Sequence, residues 1–356
     1  MGILGRGVRV LRCATKNYTV TVVQHSRCRS SHGCVRGLEY DRSGVDESRV
    51  VGSSHGWVAL FNKKREDGDL FLWEPLSGRQ IKLPPMETLP DAYSVYNEGR
   101  ASVTKVIISC SPDEGDEECH AMMIYGPGKR LAFCRPFISN SKWTRIGDLG
   151  YEEDGEIWGR SYQEFVYSVS QKLFFCVTKN EEEEDEEEEE DSGIEELNYL
   201  VFDEQSAQLL LVKRHVLERM APDGTYVHED PNLDPIDEYG KYPHKTIAFD
   251  VDRVDDLDNN GGVRLSRPRP TAGLSIFLGL NQSFAISAPH DQLKPNSIYF
   301  TDPNPCVYMC ETTMYGGHDI GVFDYENRTL SPCYYPCDVS SLKKITPPPF
   351  WFTPMN

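Results

Sequence analysis

Hydrophobic and polar positions alternate along this chain in a two-stranded pattern that recurs. In each copy an apolar stretch leads into a turn rich in Asp, Glu, Pro, Ser or Gly, and a second stretch ends at polar residues or proline. The clearest copy is residues 69–85, where 70–73 form a strand, 74–78 the turn, and Ile81 and Leu83 alternate. Looser copies occupy 132–147, 198–214, 248–266 and 318–333. Serial hairpins of this kind predict one repetitive β-architecture.

Short apolar runs rich in Val, Ile, Phe and Tyr lie between and within these copies. They are residues 57–61, 105–109, 121–125, 165–169, 172–177, 274–280, 284–288 and 297–300. Only residues 212–220 show a modest helical spacing, so we interpret the chain as nearly all-β. A sandwich and a propeller both suit many short strands. The 356-residue length favours a single β-propeller of about five to six four-stranded blades.

Several longer phrases resemble the plant KIB-type β-propeller family, many of whose members are F-box proteins. The phrases are VGSSHGWVALF and DLFLWEPLSGRQIKLPP within 51–85, residues 111–136, residues 277–336, and the PPPFWFTP ending. The resemblance spans roughly 51–356 and implies a propeller domain over 39–356. Residues 1–50 lack the Leu-Pro and Trp-Arg signature of an F-box, so ligase-adaptor function does not carry over. The chain is more similar to the F-box-less, organelle-targeted branch of the family in Brassicaceae.

The N-terminal segment has the composition of an import presequence. Residues 1–38 contain seven Arg or Lys and no Asp or Glu before Glu39. Arg-rich, acid-poor, Ser-bearing termini are typical of mitochondrial presequences, which predicts a mitochondrial location. Two alternatives stay open: a basic terminus before a cytosolic or nuclear propeller, or residues 17–23 as a blade strand. No 18-residue apolar run exists, so no membrane span is expected.

Charge limits the class of partner. The formal net charge of −19 becomes −26 once the seven positive charges of 1–38 are removed. Such a domain repels DNA and RNA, and the sequence has no Lys/Arg cluster interleaved with aromatics. Eleven consecutive carboxylates at 181–191 repel one another and predict a disordered acidic loop over 180–196. Its alternatives are a tolerated insertion and a tether for basic partners or divalent ions.

A G-x-S-x-G pattern at 52–56 could place Ser54 as a nucleophile on a strand-to-helix turn. The strand-like residues 57–61 follow instead of a helix. We therefore predict a tight structural turn with His55 as a hydrogen-bonding residue.

Two other patterns resemble ligand loops. Asp256, Asp258 and Asn260 match the start of an EF-hand loop, but Arg267 stands where a bidentate Glu is required. A polar hairpin loop is the preferred interpretation. Residues 126–130, GPGKR, resemble a phosphate loop without its spacer or its Ser/Thr, and a hairpin turn is predicted there.

Cysteines could form a zinc site if two pairs met in space. Three residues separate Cys306 from Cys310 and Cys333 from Cys337, whereas structural zinc favours two-residue gaps. With 11 cysteines in the chain and no secretory signal evident, isolated thiols in a reducing compartment are the alternative that we prefer.

His318 and Asp319 could orient a general base, but no third partner stands at a recognisable spacing. A hydrogen bond that locks a blade is the preferred interpretation. The tryptophans are expected to fill spaces between blades, and they are Trp57, Trp73, Trp143, Trp158 and Trp351.

These observations predict a non-enzymatic, monomeric protein-binding or scaffolding propeller in the mitochondrion, without cofactor, metal or assigned site residues. One alternative is a cytosolic or nuclear relative of F-box adaptors that binds ubiquitin-ligase substrates. Another is an enzyme with a metal-assisted site in the propeller channel.

Overall fold

The computed structural model describes most of the chain as short strands. Described are residues 9–14, 18–24, 48–62, 69–89, 103–112, 119–126, 129–136, 138–147, 151–153, 156–181, 193–221, 225–228, 242–257, 263–266, 273–287, 293–302, 315–332, 342, 344–345 and 348–352. The one helical element within these ranges is a 3₁₀ turn at Met86–Thr88. No helix in the described part is long and apolar enough to span a bilayer.

The chain divides into two compact units. Unit 1 comprises Met1–Glu182, Asp255–Arg264 and Trp351–Asn356, and unit 2 comprises Glu183–Val254 and Leu265–Phe350. The strands of unit 1 are β1 Arg9–Ala14, β2 Tyr18–Gln24, β3 Ser48–Ser54, β4 Trp57–Asn62, β5 Asp69–Trp73, β6 Gln80–Lys82, β7 Val103–Ile108, β8 Ala121–Tyr125, β9 Arg130–Cys134, β10 Thr144–Ile146, β11 Tyr151–Glu153, β12 Glu156–Ser168 and β13 Leu173–Glu181.

The remaining strands follow residue 193. They are β14 Ile194–Asp203, β15 Gln208–Leu217, β16 Lys245–Leu257, β17 Val263–Ser266, β18 Leu274–Leu278, β19 Phe284–Ser287, β20 Ser297–Phe300, β21 Gly321–Asp324 and β22 Thr329–Pro332. All lie in unit 2 except for the last residues of β16 and the first residues of β17, which the division assigns to unit 1.

Antiparallel sheets organise unit 1. Their strand orders are β3-β4-β5-β6, β10-β9-β8-β7 and β1-β2-β13-β12-β11. In the second sheet, successive residues of β7 face different cores. Val106 and Ile108 pack in a cluster with Trp57 and Leu70. Ile107 packs in another cluster with aromatic residues of β12 and β13. A sheet buried on both faces is what stacked propeller blades require, because each blade packs against two neighbours.

Unit 2 contains a nine-stranded mixed sheet in the order β17-β16-β15-β14-β19-β18-β20-β21-β22. Strands β14 and β15 pair antiparallel over ten residues. β18 pairs with β20 in parallel, and β14 touches β19 in parallel through Phe202 and Phe284. Phe249, Phe300 and Phe323 form the aromatic centre of the core of this unit. Serial hairpins alone did not predict the parallel contacts.

All five hairpins expected from the sequence are pairs of neighbouring strands, namely β5–β6, β9–β10, β14–β15, β16–β17 and β21–β22. The pairing is antiparallel in β5–β6, β9–β10, β14–β15 and β21–β22. The short apolar runs are strands as well, so the all-β prediction is confirmed. Residues 212–217, within the one modest helical candidate, belong to strand β15. On the two sides of the acidic run, β13 and β14 belong to different sheets.

Four hairpin turns share one local geometry. The first residue of the turn is Glu74, Ser168, Asp203 or Asp324. An oxygen atom of each of these residues accepts a hydrogen bond from a backbone N–H group within its turn. The fifth residue has positive φ, a backbone conformation that favours glycine. These residues are Gly78 (φ 75°), Lys172 (58°), Ala207 (54°) and Arg328 (51°). Polar turn residues at this spacing explain why the hairpins are visible in the sequence.

Four strands carry one extra residue relative to their partners, which forms a β-bulge. The extra residues are Val51 in β3, Thr104 in β7, Gln163 in β12 and Ile247 in β16. Next to the first bulge, Gly52 lets β3 approach β7 closely, since a Cβ atom there would lie 1.9 Å from the Val106 carbonyl oxygen. The other three bulges each adjoin a buried polar side chain, and these side chains form the sites described next.

Two strands of the fold, β1 and β2, lie within the expected presequence region 1–38. β2 is the strand that the alternative interpretation of residues 17–23 anticipated, and it pairs with β13. The presequence over 1–38, the domain limits and the blade number stay predictions. Of the tryptophans, Trp57 and Trp143 are buried, Trp73 and Trp351 are half-buried, and the Trp158 side chain lies outside the described residues.

Candidate functional site

The G-x-S-x-G pattern forms the turn of the β3–β4 hairpin. His55 and Gly56 both have positive φ, at 49° and 78°, as a tight two-residue hairpin turn requires. The Ser54 hydroxyl accepts a hydrogen bond from the backbone N–H of Ile108 at 2.9 Å. Ser53 donates to the Trp351 carbonyl at 2.6 Å. Burial lowers the pKa of His55 to about 4. The predicted structural turn is confirmed, and Ser54 connects β3 to β7. The hydrogen bond predicted for His55 is not found at Nε2, which is buried without a hydrogen-bond partner among the described residues.

The phosphate-loop resemblance is also a hairpin turn. Gly126 and Lys129 have positive φ, and the Lys129 N–H donates to the Gly126 carbonyl at 3.1 Å between β8 and β9.

The two remaining ligand patterns lie outside the described residues. Asp258, Asn260 and Arg267 lie outside the described residues, as does the Asp256 side chain. All four cysteines of the possible zinc site do so too, namely Cys306, Cys310, Cys333 and Cys337. Among the described residues, no group of three His, Cys, Asp or Glu could hold a metal ion. The cysteines with described side chains, Cys110, Cys119, Cys134 and Cys176, are buried thiols that form no disulfide.

His318 and Asp319 belong to a buried polar network in unit 2. Its centre is Arg214, which β15 places on the same face as Val212 and Val216 and which has no solvent exposure. The guanidinium donates to the Thr246 hydroxyl and to the Thr301 carbonyl, both at 2.7 Å. It stacks over the Phe300 ring, with Cζ 4.6 Å from the ring centroid. A planar cation suits this position because it satisfies several acceptors while packing on an aromatic face.

Asp319 is the anion opposite Arg214. Its Oδ2 accepts from Arg214 Nη2 at 2.9 Å. The same oxygen accepts from the Thr246 backbone N–H at 3.0 Å and from the Thr246 hydroxyl at 2.5 Å. Ile247 is the bulge residue of β16, and the bulge sets the direction of the neighbouring Thr246. A carboxylate with three donors on one oxygen is held by its surroundings and is not available as a general base.

Two histidines flank a second buried carboxylate, Asp302. His244 Nε2 lies 3.0 Å from Asp302 Oδ1. His318 uses both ring nitrogens: Nδ1 accepts from the Gly316 N–H at 3.2 Å, and Nε2 lies 2.9 Å from the His244 carbonyl. This arrangement defines a neutral His318 that donates through Nε2.

The histidines have opposite pKa shifts. Burial opposes the charge on His244, but the charge of Asp302 and its hydrogen bond outweigh burial and raise the pKa of His244. Burial and the neighbouring His244 lower the pKa of His318. The network therefore sets Arg214 and His244, whose protonated form Asp302 favours, against the carboxylates of Asp302 and Asp319. The blade-locking role that we predicted for His318 and Asp319 agrees with this geometry.

Unit 1 buries a simpler ion pair. Lys105 of β7 donates to Glu164 Oε1 of β12, and both side chains are less than a tenth exposed. The same oxygen accepts from the Phe165 N–H at 2.8 Å. Burial raises the pKa of Glu164 even though Lys105 opposes the shift. Lys105 directly follows the bulge residue Thr104, and Glu164 directly follows the bulge residue Gln163. The two bulges direct both charged side chains inward.

Sequence reasoning found two members of the network and missed the rest. The alternation Val212, Arg214, Val216 was a usable signal, because period-2 geometry puts all three on one strand face. No comparable signal marks His244 or Asp302, since the contacts of the network join residues up to 105 positions apart.

The serial antiparallel strands and the unit 1 sheet that is buried on both faces fit a β-propeller protein. The sequence model of the KIB1-4 beta-propeller family matches residues 27–324. The chain therefore belongs to the KIB1-4 β-propeller family, which confirms the resemblance seen in the sequence.

Other comparisons add little. The crystal structure of the Myceliophteria thermophila Cps50 (Swd1) beta-propeller domain is 8% identical and covers 93% of this chain and 87% of that chain, with a TM-score of 0.30. None of the curated proteins matches the chain.

Proposed function

We propose that this chain is a non-enzymatic protein-binding or scaffolding β-propeller that acts in mitochondria. The observation that carries the proposal is the structural use of the candidate catalytic pair: Asp319 accepts three hydrogen bonds on one oxygen, and both nitrogens of His318 are occupied. Propellers bind partners through the loops around a rigid disc, so recognition requires no reactive residue.

The mitochondrial part of the proposal rests on the basic N-terminus. Seven positive charges and no acid before Glu39 fit a presequence, while the remainder of the chain carries −26. A fluorescent fusion of the full chain tests this location. The matched control replaces Arg6, Arg9 and Arg12 by Gln, which removes charge and preserves length. We expect the full chain inside mitochondria and the control outside them. Equal location of both proteins would contradict import by this segment.

Affinity purification from isolated mitochondria tests the binding role. A C-terminally tagged chain is expected to bring down a protein partner in near-stoichiometric amount. Absence of such a partner, together with about one bound metal ion per purified chain, would support the alternative of a metal-assisted enzyme.

Family membership favours a second candidate, a cytosolic or nuclear adaptor relative that binds ubiquitin-ligase substrates. A full-length fusion found outside organelles, whose partners carry ubiquitin, would support this candidate over the first.

A further inference from the structure

Strand β2 covers seven of the nine residues along one edge of strand β13. The pairing is antiparallel and unbroken over seven positions, from Leu173 opposite Gln24 to Lys179 opposite Tyr18. β1 pairs in turn with β2 over six positions, from Arg9 opposite Gln24 to Ala14 opposite Thr19. The N-terminal hairpin β1–β2 thus extends a sheet that otherwise consists of β13, β12 and β11.

This hairpin stands outside the part of the chain that matches the family. The match begins at residue 27, so β1 and β2 precede it, whereas β11, β12 and β13 lie within it. The family match therefore includes the strands β11, β12 and β13 of this sheet and does not include the hairpin. The covered edge of β13 belongs to the family's own part of the fold.

The same hairpin falls in the segment that we propose as the presequence. Cleavage near residue 38 would remove β1 and β2 together. The backbone N–H and C=O groups that β13 directs toward β2 would then lose their partners, and an edge of this length is a template for another strand. This step rests on the proposed function.

We propose that the β13 edge is a strand-acceptor site. β2 fills it in the unprocessed chain, and an extended segment of a protein partner fills it after residues 1–38 are removed. Recognition of this kind adds a strand to a sheet edge, where backbone hydrogen bonds provide affinity and alternate side chains provide specificity.

The natural occupant indicates the chemistry of the partner segment. Five of the seven residues of β2, the sequence YTVTVVQ, are β-branched, which favours an extended conformation. The hairpin carries Arg9, Arg12 and Lys16 and no acid, and the chain without residues 1–38 carries −26. The site therefore takes a β-branched segment with basic residues beside the paired strand, because opposite charge increases the rate of association and selects the partner.

A nicked full-length chain tests the site without deleting any part of the fold. A protease site is inserted between residues 24 and 48 and is cut after folding, so that the N-terminal fragment starts in place. The probe is a fluorescent synthetic peptide of residues 9–24 carrying Cys13→Ser. We expect the cut chain to exchange its fragment for the probe, with a Kd at least tenfold lower than that of the uncut chain.

Two control peptides define the mode of binding. Adjacent residues of a strand direct their N–H groups to opposite edges. A peptide with V20P and T21P therefore loses a donor toward β13, and we expect at least tenfold weaker binding. A peptide with R9Q, R12Q and K16Q should bind several-fold more weakly at low salt and lose that difference at high salt.

Equal probe binding by cut and uncut chains, or by the V20P/T21P peptide and the natural one, would overturn the proposal. So would a cut chain that does not take up the probe. The assay is independent of import: probe exchange by a chain that stays outside mitochondria supports the site while contradicting the proposed location.

Discussion

Units 1 and 2 each bury a basic side chain against an acidic one, but they surround the pair differently. In unit 1, Lys105 meets Glu164, and the pKa of Glu164 is raised by burial. In unit 2, Arg214 donates to Thr246, Thr301 and Asp319. In unit 1, burial favours the neutral form of the carboxyl group of Glu164. In unit 2, Arg214 stays charged at any accessible pH. The comparison shows that the cost of a buried charge depends on the acceptors around it.

The largest effect is expected from Arg214→Met. This change leaves Asp319 buried without its cation, so we expect a loss of about 3–5 kcal/mol in the free energy of unfolding. A lower urea midpoint, or a lower soluble fraction if the chain no longer folds, would measure it. Lys213→Met is the matched control at the preceding residue of β15. The partly exposed ion pair of Lys213 with Glu196 contributes less than about 1 kcal/mol to stability. Equal losses in both variants would contradict the network.

Lys105→Met should cost less, about 2–3 kcal/mol near neutral pH, because Glu164 can become neutral by taking up a proton. Adding Glu164→Gln should recover about 1–2 kcal/mol, since the amide keeps an oxygen for the Phe165 N–H. Urea midpoints of the two single variants and the double variant measure this. When folding raises the pKa of a glutamate, the chain becomes less stable as pH rises above the pKa of that glutamate in the unfolded state. The stability penalty of Lys105→Met should therefore shrink toward acid pH. A penalty that does not change with pH would contradict this interpretation.

A third test separates the two histidines of unit 2. The contribution of a His with a raised folded pKa is complete below the unfolded value of about 6.5 and is lost as pH rises through the folded value. The difference in urea midpoint between the natural chain and His244→Gln should therefore be larger at about pH 6 than at about pH 9. For His318, whose pKa is lowered, the folded chain resists protonation. The natural chain should lose stability relative to His318→Gln as pH falls, and parallel curves for both variants would contradict the assignment.

The smallest effects concern the hairpin turns that both units share. Ala207 of unit 2 is exposed and has positive φ, so Ala207→Gly should add about 0.5–1 kcal/mol. Gly78 of unit 1 occupies the same turn position with open space around it, so Gly78→Ala should cost about 1 kcal/mol through backbone strain alone. Thermal unfolding measures both changes. Shifts of the same sign would show that φ at this position is not the cause.

The hairpins could be predicted because their signals are local. A polar acceptor at Asp203 or Asp324, four residues before the positive-φ residue, lies within one short window of sequence. Alternation then assigns each flanking residue to a face. The network could not be predicted this way, since Arg214 reaches Thr301 across 87 positions of sequence and Asp319 across 105. The parallel pairing of β18 with β20 is likewise set by the surrounding packing and has no signal in either strand.

The single extra residues in β7 and β12 have a consequence for variation in this sequence. Thr104 and Gln163 shift the alternation of their strands just before Lys105 and Glu164. Deleting either residue would turn the following charge toward the opposite face and leave its partner alone in the interior. Deletions at 104 and 163 are therefore tolerable only if the opposing charge disappears at the same time, so length changes in one strand constrain the amino acids allowed in another.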